Sequence, residues 1–168
     1  MFKIWIDICL LRAGPQDIPY SPLLLGLALA AYALIDLMVT SLAVAGATAV
    51  KMVLLDVAVM AVFLQLILQW YAKPARFLQT LTAMAGTGAL LGLLAWPLIR
   101  VLADVGPDGA PPLPAVLLWL ALLIWSLVVL GHILRHALGV SLPVGVALGV
   151  LYSIAALALV RLLFPAQG

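Results

Sequence analysis

The chain has 168 residues, of which 67% are hydrophobic and only 8% are charged, and its formal net charge is +2. Soluble domains average about 45–50% apolar and about 25% charged residues, so this composition is typical of a membrane protein. The nearly neutral charge provides no basic surface for nucleic acid, and we expect the lipid bilayer as the main partner.

The first predicted element is short. Residues 2–13 cannot span a membrane, which takes about 20 apolar residues. Lys3 and Asp7 lie four positions apart on one side of a helix. The other side is broad and apolar, with Phe2, Trp5, Ile6, Cys9 and Ala13. We predict an interfacial helix on the cytoplasmic side, within an N-terminal region of residues 1–19. The alternative is a frayed terminus that partitions into the membrane through its apolar content.

Five longer apolar segments follow, separated by short stretches rich in proline, glycine or charge. Each is long enough to cross a membrane. The predicted spans cover residues 22–44, 48–70, 77–101, 113–134 and 142–163. The sequence therefore predicts an all-α, polytopic membrane protein, in which a five-transmembrane-helix bundle over residues 20–168 follows the short N-terminal interfacial helix.

The first two spans each carry an aspartate, Asp36 and Asp56, about 12 Å inward from their shared connection. A charged residue at the bilayer centre costs about 2.5–3.5 kcal/mol on insertion scales. The connection is short, so we predict a tight hairpin that places both carboxylates at nearly the same depth in the outer half of the membrane. Tyr32 and Thr40 flank Asp36 at a spacing of four, and Lys51 could reach a carboxylate across the hairpin. The predicted polar intramembrane site comprises Tyr32, Asp36, Thr40, Lys51 and Asp56.

Two uses of this polar site stay open. One is the handling of a proton or cation, and the other is a hydrogen bond that fixes the register of two helices. The structural use is the favoured interpretation, because no third acidic residue lies within the apolar spans.

Small residues at a spacing of four occur in the third and fifth spans. Gly88 and Gly92 form one pair, and Gly145, Gly149 and Ser153 form one stripe. Such spacing lets helix backbones approach closely. Internal packing is the favoured use, with dimerisation as the alternative.

Both histidines lie at the end of the fourth span, where His132 and His136 share a helix face beside Arg135. This spacing can ligate a metal or haem, with Cys9 as a further candidate ligand. We favour a basic cluster that contacts lipid headgroups or a protein partner, and we expect no metal and no cofactor.

The basic residues predict the orientation of the chain. An inward N-terminus places Asp104 and Asp108 outside, where Arg100 can pair with Asp104. It also places five basic residues inside (Lys3, Arg12, Lys73, Arg76 and Arg135) and three outside (Lys51, Arg100 and Arg161). The positive-inside rule therefore favours a cytoplasmic N-terminus and a C-terminus on the outer side.

Catalytic motifs are missing from the sequence. Lipoprotein-type aspartic signal peptidases need an asparagine beside a catalytic aspartate, and small multidrug exporters need a membrane glutamate. The chain contains neither asparagine nor glutamate, and it has no HExxH motif or Ser–His or Cys–His arrangement. We therefore predict that the protein is not an enzyme.

The last two spans read "LLWLALLIWSLVVLGHILRHALGVSLPVGVALGVLYSIAALALVRLLF". Trp125, the histidine–arginine segment and Ser141 before a last helix rich in small residues are their main features. This stretch resembles the C-terminal half of the YIP family, the Ypt/Rab-interacting membrane proteins and their bacterial relatives. The whole resemblance extends over about residues 20–164. The resemblance implies a compact five-helix bundle of the bacterial, short type in the inner (plasma) membrane. Eukaryotic members bind small GTPases through a longer N-terminal region, so GTPase binding is not carried over.

The leading functional hypothesis is a non-enzymatic scaffold, membrane-organising factor or small subunit of a membrane complex, with a protein partner or self-association. The alternative is a small-solute or proton/cation transporter that uses Asp36 and Asp56. A membrane enzyme with the two aspartates as acid and base is the third hypothesis.

Overall fold

The fold is that of a helical membrane protein. A computed structural model describes residues 2–44, 46–105 and 109–165; Asp108, one of the predicted outer acids, lies outside them. The described helices are α1 (Phe2–Cys9), α2 (Pro22–Thr40), α3 (Gly46–Trp70), α4 (Phe77–Ala103), α5 (Leu113–Leu138) and α6 (Leu142–Leu163), with single 3-10 turns at Pro15–Asp17 and Pro74–Arg76. Helices α2 to α6 are each long and apolar enough to cross a membrane. The predicted all-α bundle with five spanning helices is therefore confirmed.

Local backbone chemistry sets where several helices begin and end. The Leu24 N–H donates to the Ser21 hydroxyl, which caps the start of α2. Helix α2 ends at Thr40, four residues earlier than predicted. Helix α5 continues four residues beyond its predicted end, because it stops only where Gly139 adopts a left-handed conformation with φ 71°. Helix α1 is shorter than predicted, since Leu11 turns the chain with φ 61°.

Helix α4 lies at the centre of the bundle. It packs against α1, α2, α3 and α5, and α6 packs against α5 and α3. Successive spans alternate in direction, so the bundle has two ends. We call the end formed by residues 15–21, 71–76 and 138–141 the base. The opposite end, formed by residues 41–44 and 109–112, is called the open end.

Packing is tight near the base and loose near the open end. Every residue of α4 from Thr80 to Thr87 is buried, as are most residues of α5 from Val129 to Leu138. By contrast, residues 90–103 of α4, 113–128 of α5 and 150–163 of α6 include no buried side chain. Helices α5 and α6 are thus packed firmly near the base and loosely toward the open end, where α3 and the α2–α3 connection still bury Val44, Ala49 and Val53.

The small residues serve contacts inside the bundle, as the favoured interpretation predicted. A Cβ atom added to Gly88 would lie 2.7 Å from the Tyr32 ring, and one added to Gly92 would lie 2.9 Å from Ile35. A Cβ atom on Gly145 would collide with the backbone carbonyl oxygen of Gly131. Helices α2 and α4, and likewise α5 and α6, therefore approach closely only because these positions lack side chains.

Helix α1 is present, but the sequence did not predict its contacts. Ile8 is fully buried, and the Trp5 indole lies directly against Gly86 of α4. Burial also raises the pKa of the Cys9 thiol to about 11, so the thiol is neutral and poorly reactive at pH 7. Helix α1 therefore packs part of its apolar side against the bundle, and the rest of the helix faces the surroundings.

Three side chains of the bundle hold the backbone of the N-terminal region. Trp125 Nε1 donates to the Cys9 carbonyl oxygen at 3.1 Å, and His132 Nε2 donates to the Ala13 carbonyl oxygen at 2.8 Å. Gln79 Nε2 donates to the Ile18 carbonyl oxygen at 2.6 Å. The N-terminal region is consequently bound along the side of the bundle, from the base at Ile18 to the middle of α4 and α5.

Candidate functional site

A cavity of about 360 Å³ lies between α2, α4, α5 and α6. It begins at the middle of the bundle and continues toward the open end, where these helices stand apart. Met60, Met84 and Ile133 line its inner end, next to the tightly packed base. We call this space the cleft. Its existence follows from the uneven packing, because the four helices meet firmly at only one end.

The polar part of the cleft lies on α2. Tyr32 and Asp36 both line the cavity, four residues apart on one face of the helix. The Tyr32 hydroxyl donates to Asp56 Oδ2 of α3 at 2.5 Å, a short hydrogen bond that joins the two helices. Thr40 Oγ1 donates to Asp36 Oδ1 at 3.5 Å. The structure thus brings four of the five predicted site residues together in two linked helices.

The two carboxylates do not occupy one level as predicted. Asp56 is paired with Tyr32, which lies one helical turn nearer the base than Asp36. The prediction counted Asp36 from residue 44, whereas α2 ends at Thr40 and residues 41–44 form an irregular turn. The carboxylates are still close enough to interact electrostatically. They form a staggered pair, with Asp36 in the cleft and Asp56 behind Tyr32.

Lys51 lies apart from this pair. Its side chain is exposed, and no contact joins it to Asp36 or Asp56, whose described partners are hydroxyl groups. Five residues along a helix turn the side chain to a different face from Asp56, which explains the separation. The prediction that Lys51 belongs to the polar site is therefore wrong for this structure.

Sequence analysis missed the contribution of α5 and α6. Tyr152 and Ser153 of α6 line the cleft, together with Trp119 and Ser126 of α5. Tyr152 stacks at a tilt on Phe63 of α3, with 5.2 Å between ring centroids. A tyrosine in the middle of an apolar span was an available signal, because its hydroxyl group needs a polar site.

The residues of the predicted histidine–arginine cluster, His132, Arg135 and His136, have different surroundings in the fold. His132 is only 2% exposed and donates through Nε2 to Ala13, so it cannot contact headgroups as predicted. Arg135 Nη2 donates to His136 Nε2 at 3.3 Å, and both of these side chains are half-buried at the base. His132 therefore anchors the N-terminal region, while Arg135 and His136 keep the predicted position near a membrane surface.

Histidine, cysteine and aspartate are the side chains of this chain that could bind a metal ion. Within residues 2–44, 46–105 and 109–165, no three histidine, cysteine or aspartate side chains lie together in a group suited to a metal ion. The single ion pair in those ranges is Arg100–Asp104 at 3.9 Å, which confirms the pairing predicted at the open end.

Comparison of the chain with protein-family models, with curated proteins and with solved structures finds no match. The resemblance to the YIP family stays a prediction, and the cleft is the feature of the structure that bears on function.

Proposed function

We propose that this integral membrane protein is a transporter of small cationic solutes, and that the cleft is its binding site. One observation carries the proposal, namely a cavity in the middle of the bundle with Asp36 on its wall and a Tyr32–Asp56 hydrogen bond beside it. Ionisable residues within membrane spans typically mark binding sites or pathways for ions and substrates.

The charge of the cleft favours a cation. None of its lining residues is lysine, arginine or histidine, and Asp36 is the one carboxylic acid on the wall. Water is scarce between apolar helices, so a carboxylate there attracts a positive charge more strongly than it would in bulk water. A second carboxylate on α3 adds to the negative potential at the same place.

The shape of the bundle favours transport. The cleft ends at the packed base and continues toward the open end, so it is placed to be reached from one side only. Transporters alternate access by moving one part of a bundle against another around a site near the midplane. Separation of the base, which α1 and the N-terminal region now fill, would expose the site to the other side.

The test is cation movement in vesicles that contain the purified protein and a trapped pH dye. For cations other than protons a protonophore is added, so that entering positive charge drives protons out and changes the dye signal. Protons, sodium, potassium and benzyltrimethylammonium are applied in turn, with and without a membrane potential. We expect the dye to report movement of at least one cation, at least tenfold slower with Asp36→Asn or Asp56→Asn. Asp104→Asn is the matched control, because it removes the same charge at an exposed position. If none of the cations moves, the transporter proposal is wrong.

A scaffold or small subunit of a membrane complex is the second candidate. It is favoured by the hydroxyl partners of both carboxylates, because Tyr32 joins Asp56 of α3 to α2 and Thr40 satisfies Asp36 within α2 without any cargo. Asparagine keeps such hydrogen bonds, so a scaffold with Asp36→Asn and Asp56→Asn should still recover its protein partner, or a second copy, from gently solubilised membranes. Both candidates are non-enzymatic and compatible with a short YIP-type protein.

We further propose a bacterial inner-membrane location with the base on the cytoplasmic side. Support comes from the five basic residues near the base against three near the open end. Single cysteines at Ser41 and Ser141, in a Cys9→Ala background, test this orientation in intact cells. An impermeant maleimide should label Ser41→Cys at least tenfold faster than Ser141→Cys, and the reverse order would contradict it.

A further inference from the structure

We propose that the cleft binds a hydrophobic organic cation, in which one positive charge is carried on an apolar body. This inference rests on the proposed function for the site and names its substrate class.

Aromatic side chains surround the negative group. Tyr32 is on the same wall as Asp36, and Tyr152 and Trp119 line the cleft from α6 and α5. The face of an aromatic ring attracts an alkylated ammonium, and the attraction strengthens when water is excluded. A carboxylate with three aromatic rings in one cavity is therefore suited to a cation that has lost its water and presents alkyl groups.

The hydroxyl groups of the cleft are spread over several helices and bonded within the protein, so they do not form a ready cage for an inorganic ion. Thr87 donates to the Ala83 carbonyl oxygen, and Ser126 and Ser153 donate to carbonyl oxygens of their own helices. The Tyr32 hydroxyl is directed at Asp56. A small metal cation needs about six oxygen ligands to replace its hydration shell. The rest of the wall is mostly leucine, isoleucine, valine and methionine, which supply none.

The size of the cleft agrees with this class. A volume of about 360 Å³ is at the lower end of the range of small-molecule pockets, about 300–1,000 Å³. An anion is disfavoured because no cationic side chain lines the cavity. A neutral apolar molecule would fill the space but leave the negative charge of Asp36, which is bonded only to the Thr40 hydroxyl, without a counter-charge, and this is costly in apolar surroundings.

Equilibrium binding to the purified protein in nanodiscs tests the inference. The probe is radiolabelled benzyltrimethylammonium, and the matched competitor is neopentylbenzene, in which a neutral carbon replaces the charged nitrogen. We expect saturable binding of one probe per chain, with neopentylbenzene competing at least tenfold less well. Asp36→Asn should weaken binding at least tenfold, and Asp104→Asn should leave it unchanged.

A second variant covers the case in which Asp36→Asn does not fold. Ser126→Phe keeps both carboxylates but fills part of the cleft, so it should also prevent binding. Equal competition by neopentylbenzene, or unchanged binding with Ser126→Phe, would overturn the inference and indicate a generic apolar pocket such as one for a lipid chain. If protons or metal cations move but the probe does not bind, the inference of an organic cation is wrong and the transporter proposal stands. Binding without movement of any cation would contradict only the transporter proposal.

Discussion

Replacing Lys73 and Arg76 together with alanine should lower the free energy of unfolding by about 3 kcal/mol. The last four carbonyl groups of a helix have no partner within it. In α5, the Arg135 carbonyl oxygen accepts from the N–H groups of Gly139 and Val140. Arg76 Nη1 donates to the carbonyl oxygens of His136 and Ala137 at 2.8 Å each, and Lys73 Nζ donates to that of Leu138.

The two basic side chains thus complete the cap of α5 and hold the α3–α4 connection against it. Positive charge at a helix C-terminus is also favourable for the helix dipole. The matched control is Lys51→Ala with Arg161→Ala, which removes the same charge from exposed positions near the open end. Unfolding by SDS in mixed micelles, followed by circular dichroism, measures both variants. If the Lys73/Arg76 variant and the control variant are equally stable, the cap contributes nothing to the free energy of unfolding.

This role of Lys73 and Arg76 shows what sequence reasoning can and cannot reach. Their location near the membrane surface was predictable, because charged residues between apolar spans have nowhere else to lie. Their partners were not, since those are backbone carbonyl groups about sixty residues further along the chain. Long apolar runs determine the number of spans, whereas the pairing of spans depends on side-chain shapes that a one-dimensional pattern does not record.

The polar site illustrates the same limit on a smaller scale. The spacing of Tyr32, Asp36 and Thr40 predicted a single polar stripe, and the short connection predicted that α3 would bring Asp56 to it. The cleft itself was not predictable, because it results from the loose packing of α4, α5 and α6 toward the open end rather than from any motif. Tyr152 belongs to the site only because α6 returns to it from the far end of the chain.

The docked N-terminal region links the base to the cleft. Trp125 and His132 hold its backbone, and both belong to α5, the helix that also lines the cleft through Trp119 and Ser126. A movement of α5 that changes the width of the cleft must therefore either carry the N-terminal region along or break these hydrogen bonds. Under the proposed function, movement of α5 against its neighbours would therefore control access to the cleft.

The contact of α5 with α6 should be the most sensitive part of the bundle to an added methyl group. Gly145→Ala is expected to cost about 1–3 kcal/mol, because overpacking forces the neighbours apart. The new Cβ would collide with the Gly131 carbonyl oxygen and lie 3.1 Å from the Arg135 backbone nitrogen. Backbone atoms cannot rotate away as a side chain can, so α6 itself has to move.

Gly149 and Gly26 are two further positions at which an added methyl group should have smaller effects. Gly149→Ala should cost less than Gly145→Ala, because its Cβ meets only the Leu130 side chain, at 3.1 Å. Gly26→Ala should be neutral or stabilising by up to about 1 kcal/mol, since nothing lies within 4 Å and alanine favours a helix more than glycine does. Thermal unfolding of the three variants in one detergent gives the order directly. Should Gly145→Ala prove as stable as Gly26→Ala, the close approach of α5 and α6 does not exist in solution.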